Sequence, residues 1–270
     1  NGGDGDDIIY GNAGNDTITG TAGSDTVFGG IGDDLMNYNG AITAVKLSGN
    51  TDNDTIIGGT QADDLRGGSG NDSITGNEGN DTLYGGDSDV SPIDGDDTLD
   101  GGTGNDIIFA NGGNDTVFGS SGNDIVYAGV GDDAVDYSDS SDTVYILGGN
   151  GNDVLTGGSG NDTIHGSVGS DVMTGGNGQD IFLFDRSDDT PNTGADTITD
   201  FTNSSLLSGS SDIIQLVGLG YTGIVAGDAS GTLLGFTDDG TNTTITNAAG
   251  GFVLTLTGVI LLSNADFIFS

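Results

Sequence analysis

The chain has 270 residues with 42 Asp and Glu against 3 Lys and Arg, a formal net charge of −39, and 54 glycines. So little positive charge excludes nucleic acid and anionic membrane surfaces as partners, because neither phosphates nor headgroups would find cations to engage, and it makes cations the natural ligands. An apolar fraction of 33% with no cysteine excludes a thick single core, disulfides and thiolate metal ligands, so some other agent must order the chain.

Glu78 is the sole glutamate, so the acidity is almost entirely aspartate. A chain acidic only for solubility mixes the two, and the short reach of Asp is therefore what the pattern selects. From the first residues onward Asp recurs every nine positions: Asp7, Asp16, Asp25, Asp34, then Asp54, Asp63, Asp72, Asp81, then Asp97, Asp106, Asp115, Asp124, Asp133, Asp142, then Asp153, Asp162, Asp171, Asp180. Each copy reads Gly-Gly-x-Gly-(Asn/Asp)-Asp-x-U-x with U apolar, as in Gly67-Gly68-Ser69-Gly70-Asn71-Asp72-Ser73-Ile74-Thr75. Insertions near residues 38–49, 87–94 (with Pro92) and 146–147 break the count, and since the repeat resumes after each, they read as loops within one domain over 1–183. The chain opens inside a copy, which reads as a piece of something longer.

Positions one, two and four are Gly because a tight turn with positive φ and close backbone approach has no room for a Cβ. Position five, usually Asn or Asp, is expected in the left-handed region as well. The last three residues form a short strand with only its middle residue inward. Those residues run from Ile9, Ile18, Val27 and Met36 through Val135, Val144 and Leu155 to Met173 and Phe182, and all eighteen are apolar. One inward residue in nine gives a thin core, best closed by two facing rows of strands with eighteen residues per coil, an all-β solenoid. Winding sets each Asp beside the one eighteen residues on, as in Asp7/Asp25, Asp54/Asp72, Asp106/Asp124 and Asp162/Asp180. At about 5 Å and an effective dielectric near 20, each pair repels by roughly 3 kcal/mol. A hard divalent cation shared by both carboxylates and the loop carbonyls reverses the sign, and a flexible all-oxygen cage favours Ca²⁺ over Mg²⁺.

On these residues the sequence resembles the RTX family, the calcium-binding nonapeptide repeats of proteins exported by type I secretion. The resemblance implies a parallel β-roll with multiple Ca²⁺ ions between successive loops, the position-six Asp of every copy above being the side-chain ligand. Gln61, in a glycine place before Asp63, and Tyr137–Ser141, which lacks all the glycines before Asp142, depart from that pattern.

After Phe182 the glycine turns fade and strand-like stretches take over, from Asp196–Phe201 and Asp212–Leu216 to Phe252–Leu256, which predicts a β cap over 184–270 covering the last coil. Asp196-Thr197-Ile198-Thr199-Asp200-Phe201 and the ending Ala265–Ser270 resemble the C-terminal region of serralysin-like and RTX adhesin proteins, implying an uncleaved signal read by the export ABC transporter. The apolar run Val259–Leu262 is too short to span a bilayer.

The remaining motifs carry no chemistry. Gly218-x-Gly220-x-x-Gly223 lacks the βαβ context of a dinucleotide site, and His165, the single histidine, reads as a surface residue. Asp87, Asp89 and Asp94 read as a solvated loop. Tyr84, Phe109, Tyr127 and Tyr145 are expected to stack on one outer face, either as a cross-strand rung or as a strip for sugar rings. No catalytic constellation is found, so the chain reads as a non-enzymatic, monomeric, secreted calcium module of a large adhesin. The alternative is the tail of a secreted hydrolase or epimerase assisting polysaccharide binding. Ice binding is disfavoured, since position three holds Thr only at Thr60 and Thr103.

Overall fold

A computed structural model of the protein describes residues 1–86, 94–185, 194–202, 212–217, 223–226, 233–238, 242–246, 253–257 and 266–269. The chain forms two compact units, Asn1–Tyr137 and Ser138–Ser270, each a parallel β-solenoid, and the described residues include no α-helix.

In the first unit the chain alternates between two sheets. The first sheet takes Ile8–Ala13, Thr26–Ile31, Lys46–Thr51, Asp64–Ser69, Thr82–Gly86, Ile107–Gly112 and Ile125–Val130, in that order. The second takes the three-residue strands Thr17–Thr19, Leu35–Asn37, Thr55–Ile57, Ser73–Thr75, Thr98–Asp100, Thr116–Phe118 and Ala134–Asp136. Consecutive strands never pair, and every strand hydrogen-bonds in parallel to the next but one. The register is that of the repeat, with Ile9 opposite Val27, Leu65 opposite Leu83 and Ile56 opposite Ile74. Side chains alternate along each strand, so one row per sheet faces in. Val27, Leu47, Leu65 and Leu83 from one sheet meet Met36, Ile56, Ile74 and Leu99 from the other, all fully buried, while Ile9 at the first coil is half-buried.

Two expected loops are corrected. Residues 46–49 lie inside the strand Lys46–Thr51, with Lys46 opposite both Thr26 and Asp64 and Leu47 buried between Val27 and Leu65. The copy escaped the count because Val45 stands in its Asp position. Residues 146–147 likewise lie inside the strand Tyr145–Asn150, where Ile146, opposite Ile164, is the inward residue expected at Val144. Most of the 87–94 insertion lies outside the described residues.

In the second unit one sheet runs Tyr145–Asn150, Thr163–Val168, Ile181–Phe184, Ile213–Leu216 and Phe267–Phe269. The other runs Val154–Gly158, Val172–Gly176 and Asp196–Ile198, and then Val253–Thr257, Asn242–Thr246, Leu233–Asp238 and Gly223–Ala226. Asn242–Thr246 pairs antiparallel with both its neighbours, so the coil pattern gives way to a meander at this end.

With so thin a core, each inward residue is stacked between its counterparts in adjacent coils. Leu83→Ala is expected to lower unfolding stability in saturating calcium by about 2–5 kcal/mol, measured as the urea midpoint; a change under about 0.5 kcal/mol would contradict the packing described.

Candidate metal centre

The loops between the sheets are built by the repeat position by position. Positive φ falls at the second and fourth positions, as at Gly30 (φ 123) and Gly32 (φ 115); where Gly is replaced there, Asn12, Asn50, Asp52, Asn77, Asn111 and Ser167 hold the left-handed conformation instead. The first glycine has another cause. A Cβ on Gly29 would lie 2.3 Å from Oδ2 of Asp34, the aspartate of its own copy, so this place is kept empty to seat a carboxylate. Position five is not left-handed, contrary to the expectation. Its side chain instead accepts a backbone hydrogen bond from the following coil, as in Asn71 N–H to Asn53 Oδ1 (2.8 Å), Asn105 N–H to Asn80 Oδ1 (2.8 Å) and Asn123 N–H to Asn105 Oδ1 (2.7 Å).

The position-six aspartates form ladders running the opposite way. Along the second sheet of the first unit, the N–H of each donates to Oδ1 of the next: Asp16 to Asp34, Asp34 to Asp54, Asp54 to Asp72, Asp72 to Asp97, Asp97 to Asp115 and Asp115 to Asp133, all at 2.7–2.8 Å. Along the first sheet Asp7 donates to Asp25 (3.0 Å), and Asp63 to Asp81, Asp81 to Asp106 and Asp106 to Asp124 at 2.8 Å. In the second unit Asp153 donates to Asp171 (2.8 Å) and Asp162 to Asp180 (2.9 Å). The structure thus brings seventeen of the eighteen sequence-predicted aspartates into the ladder register. Asp142 is the exception: it is half-buried with its N–H on Ser140 Oγ, and Val144 occupies the slot, its N–H on Asp162 Oδ1 (2.9 Å).

Two ladder members lie beyond the repeat as read from the sequence. Asp171 N–H donates to Asp196 Oδ1 (2.9 Å) and Asp180 N–H to Asp212 Oδ1 (3.1 Å). The signal lies in the frames Asp196-Thr197-Ile198 and Asp212-Ile213-Ile214, which keep Asp-x-U with only Gly194 left of the glycine turns. Asp212 closes its row, since its Oδ2 accepts from the Thr202 N–H (2.7 Å) and hydroxyl (3.1 Å).

The second oxygen of several ladder aspartates is what calls for a ligand. Oδ2 of Asp34, Asp54, Asp97 and Asp115 on one edge, of Asp81 and Asp106 on the other and of Asp180 in the second unit is buried and accepts no hydrogen bond. Leaving a carboxylate oxygen dry and bare is costly. Burial is the main reason that Asp54, Asp81, Asp97, Asp106, Asp115 and Asp180 resist ionisation, followed by the charge of neighbouring aspartates. It pushes Asp54, Asp81, Asp106, Asp115 and Asp180 up to about 7 and Asp97 up to about 8, against the lowering effect of the ladder N–H. Among the described residues no group of three or more metal-ligating side chains occurs, so an ion here would be held by carboxylates from adjacent coils together with loop carbonyls. That all-oxygen, irregular donor set fits Ca²⁺.

The other candidates resolve differently. Tyr84, Phe109 and Tyr127 do stack, at 5.1 and 5.0 Å between ring centroids and within 8° of parallel, and Arg66 covers the other face of Tyr84 at 4.2 Å. Phe109 is sandwiched between Tyr84 and Tyr127, and Tyr84 between Phe109 and Arg66, the arrangement of a cross-strand rung. Tyr145, opposite Thr163, lies in the second unit and sits two positions earlier in its copy than the other three. His165 is buried rather than on the surface. Asp94 accepts from Gly112 N–H (3.3 Å), while Asp87, Asp89 and Gly218–Gly220 lie outside the described residues.

A family model for the RTX calcium-binding nonapeptide repeat matches residues 1–36, 46–74, 57–89, 93–126, 109–144 and 147–182, more than half of the chain, and the chain belongs to that family. Its repeats bind Ca²⁺ at multiple sites, and the β-roll they form is a structural rather than a catalytic domain. A search of curated proteins finds no match. Among solved structures, the AlgE6R3 subunit of the Azotobacter vinelandii mannuronan C5-epimerase is 32% identical with a TM-score of 0.42, over 53% of this chain and 81% of that one. The extracellular lipase LipA of Serratia marcescens is 17% identical with a TM-score of 0.36, over 88% of this chain and 45% of the lipase.

The pH dependence follows from the raised carboxyls. Without metal, the folded chain binds protons more tightly than the unfolded chain, whose Asp titrates near 4; metal-free stability is therefore greatest below that pH and falls as pH rises to about 7–8. Calcium reverses the slope, because the ion must displace those protons. The calcium midpoint for folding is expected to rise by at least about tenfold between pH 8 and pH 6, followed by circular dichroism; a pH-independent midpoint would contradict protonation of the ladder.

Proposed function

We propose that this chain is a calcium-switched module of a secreted or cell-surface protein, unfolded during export and folded on reaching external calcium, with Ca²⁺ held by the ladder aspartates. The observation that carries this reading is that Oδ2 of Asp34, Asp54, Asp97 and Asp115, along one edge, is buried and accepts no hydrogen bond. Inside a cell, free Ca²⁺ lies far below the roughly 10⁻⁴–10⁻³ M dissociation constants of extracellular calcium modules, so the acidic chain remains extended and fits a narrow export channel. Outside, at 100 times Kd, each site contributes about 2.7 kcal/mol by mass action, and many sites in series make the transition steep. The partner during export is the ABC transporter of a type I system, reading a signal within 184–270, a segment that also caps the solenoid. The length of the repeat array supports a large adhesin as the parent protein, with cell-surface or glycan ligands bound by its other domains.

Two measurements test this. Far-UV circular dichroism is expected to report an unfolded chain in EGTA or in millimolar Mg²⁺ and a β spectrum in millimolar Ca²⁺; a β spectrum that persists in excess chelator would refute the switch. In a bacterial host with a type I exporter, a passenger fused ahead of Asn1 is expected to reach the medium and to be retained when 184–270 is deleted. Equal export of both fusions would place the signal elsewhere.

A further inference from the structure

The ladder is interrupted in the first unit by Val45, whose N–H donates to Asp63 Oδ1 (2.8 Å) as an aspartate N–H does elsewhere. Its apolar side chain removes a carboxylate from two successive pairs, with Asp25 on one side and Asp63 on the other. Neither remaining carboxylate is left bare. The Tyr38 hydroxyl donates to Asp25 Oδ2 (3.0 Å), and the Gly59 N–H donates to Asp63 Oδ2 (2.6 Å). Tyr38 is fully buried, and its ring fills the space beside Gly20, where a Cβ would come within 2.2 Å of the ring.

The device recurs. In the second unit Val144 holds the ladder slot before Asp162, and Asp162 Oδ2 accepts from the Gly158 N–H (2.8 Å). At the end of the first unit Tyr137 is a fully buried phenol with the Asp124 carboxylate beside it, and its ring fills the space beside Gly119 as Tyr38 does beside Gly20. By contrast, Oδ2 of Asp34, Asp54, Asp97 and Asp115 on the second-sheet edge meets no such donor.

We infer that hydrogen-bond donors replace calcium around the two valines: Tyr38 and Gly59 satisfy the carboxylates flanking Val45, Gly158 satisfies the one after Val144, and no ion is held between Asp25 and Asp63 or between Val144 and Asp162. The first-sheet edge of the first unit then binds calcium in separate blocks, while its second-sheet edge carries an unbroken row from Asp16 to Asp133. A protein donor is present at every calcium concentration, so these coils have a fixed join where the others have a switched one.

The inference rests on the reading that Ca²⁺ lies along the ladders. It is tested on the unaltered chain, crystallised in millimolar CaCl₂, by long-wavelength anomalous difference maps. The expected result is peaks between successive coils along Asp16–Asp133 and none between Asp25 and Asp63 or between Val144 and Asp162. Peaks flanking either valine, with the second-sheet row also filled, would overturn this inference and leave the calcium reading standing. Absence of peaks along both edges would instead overturn the calcium reading, and this inference with it.

Discussion

Everything in this chain follows from the need to place two carboxylates side by side in a dry loop and make that arrangement favourable. The short side chain of Asp sets the distance, which is why one glutamate occurs among 42 acids. The first glycine of the copy exists to leave room for the Asp oxygen, as the 2.3 Å approach of a Cβ on Gly29 to Asp34 Oδ2 makes plain. The ladder N–H orients each carboxylate through Oδ1 and leaves Oδ2 against the first glycine of its own copy. Position five supplies the opposite polarity, accepting from the coil that follows. Each coil is thereby clamped to the next through two antiparallel sets of side-chain hydrogen bonds, outside the strands themselves.

The energetics divide accordingly. A solenoid with one inward residue in nine buries too little apolar surface to offset the ordering of so many glycines, each of which loses more conformational freedom than any other residue. Hydrogen-bonded strands of three residues, such as Ser73–Thr75, add little by themselves. A set of carboxylates pushed toward neutrality by burial acts against the fold until a cation arrives, and then acts for it. In the proposed switch the same groups serve as lock and as key, and the charge of −39 acts to hold the metal-free chain open.

Much of this was legible in the sequence because the repeat period, the apolar residue and the aspartate coincide in most copies. Seventeen ladder aspartates and the facing rows of strands follow from that coincidence. It fails where one of the three is missing. Val45 removed the Asp marker, and with it a strand was lost to a supposed loop; Val144 and Asp142 together shifted one copy by two residues. Asp212 kept the Asp but lost the glycines, Asp196 kept only Gly194 of them (φ 88), and their ladder partners lie 32 and 25 residues away. The role of position five was misassigned because Asn tolerates a left-handed backbone, yet here its carbonyl is what matters. His165 holds the position that stays half-buried or exposed in other six-residue strands, at Arg66, Phe109 and Tyr127, yet it is itself buried, and nothing in the repeat pattern marks that difference.

The central claim is that the unbroken second-sheet ladder of the first unit can form only around a cation. Hydrogen–deuterium exchange at the backbone amides of Asp34, Asp54, Asp72 and Asp97 addresses it residue by residue, since each of these N–H groups donates to the aspartate of the next coil. In millimolar Ca²⁺ they are expected to be among the slowest in the chain, and in excess EGTA to exchange at the rate of an unfolded peptide. Protection that survives in EGTA would mean that the carboxylate ladder stands without metal, and would contradict the account.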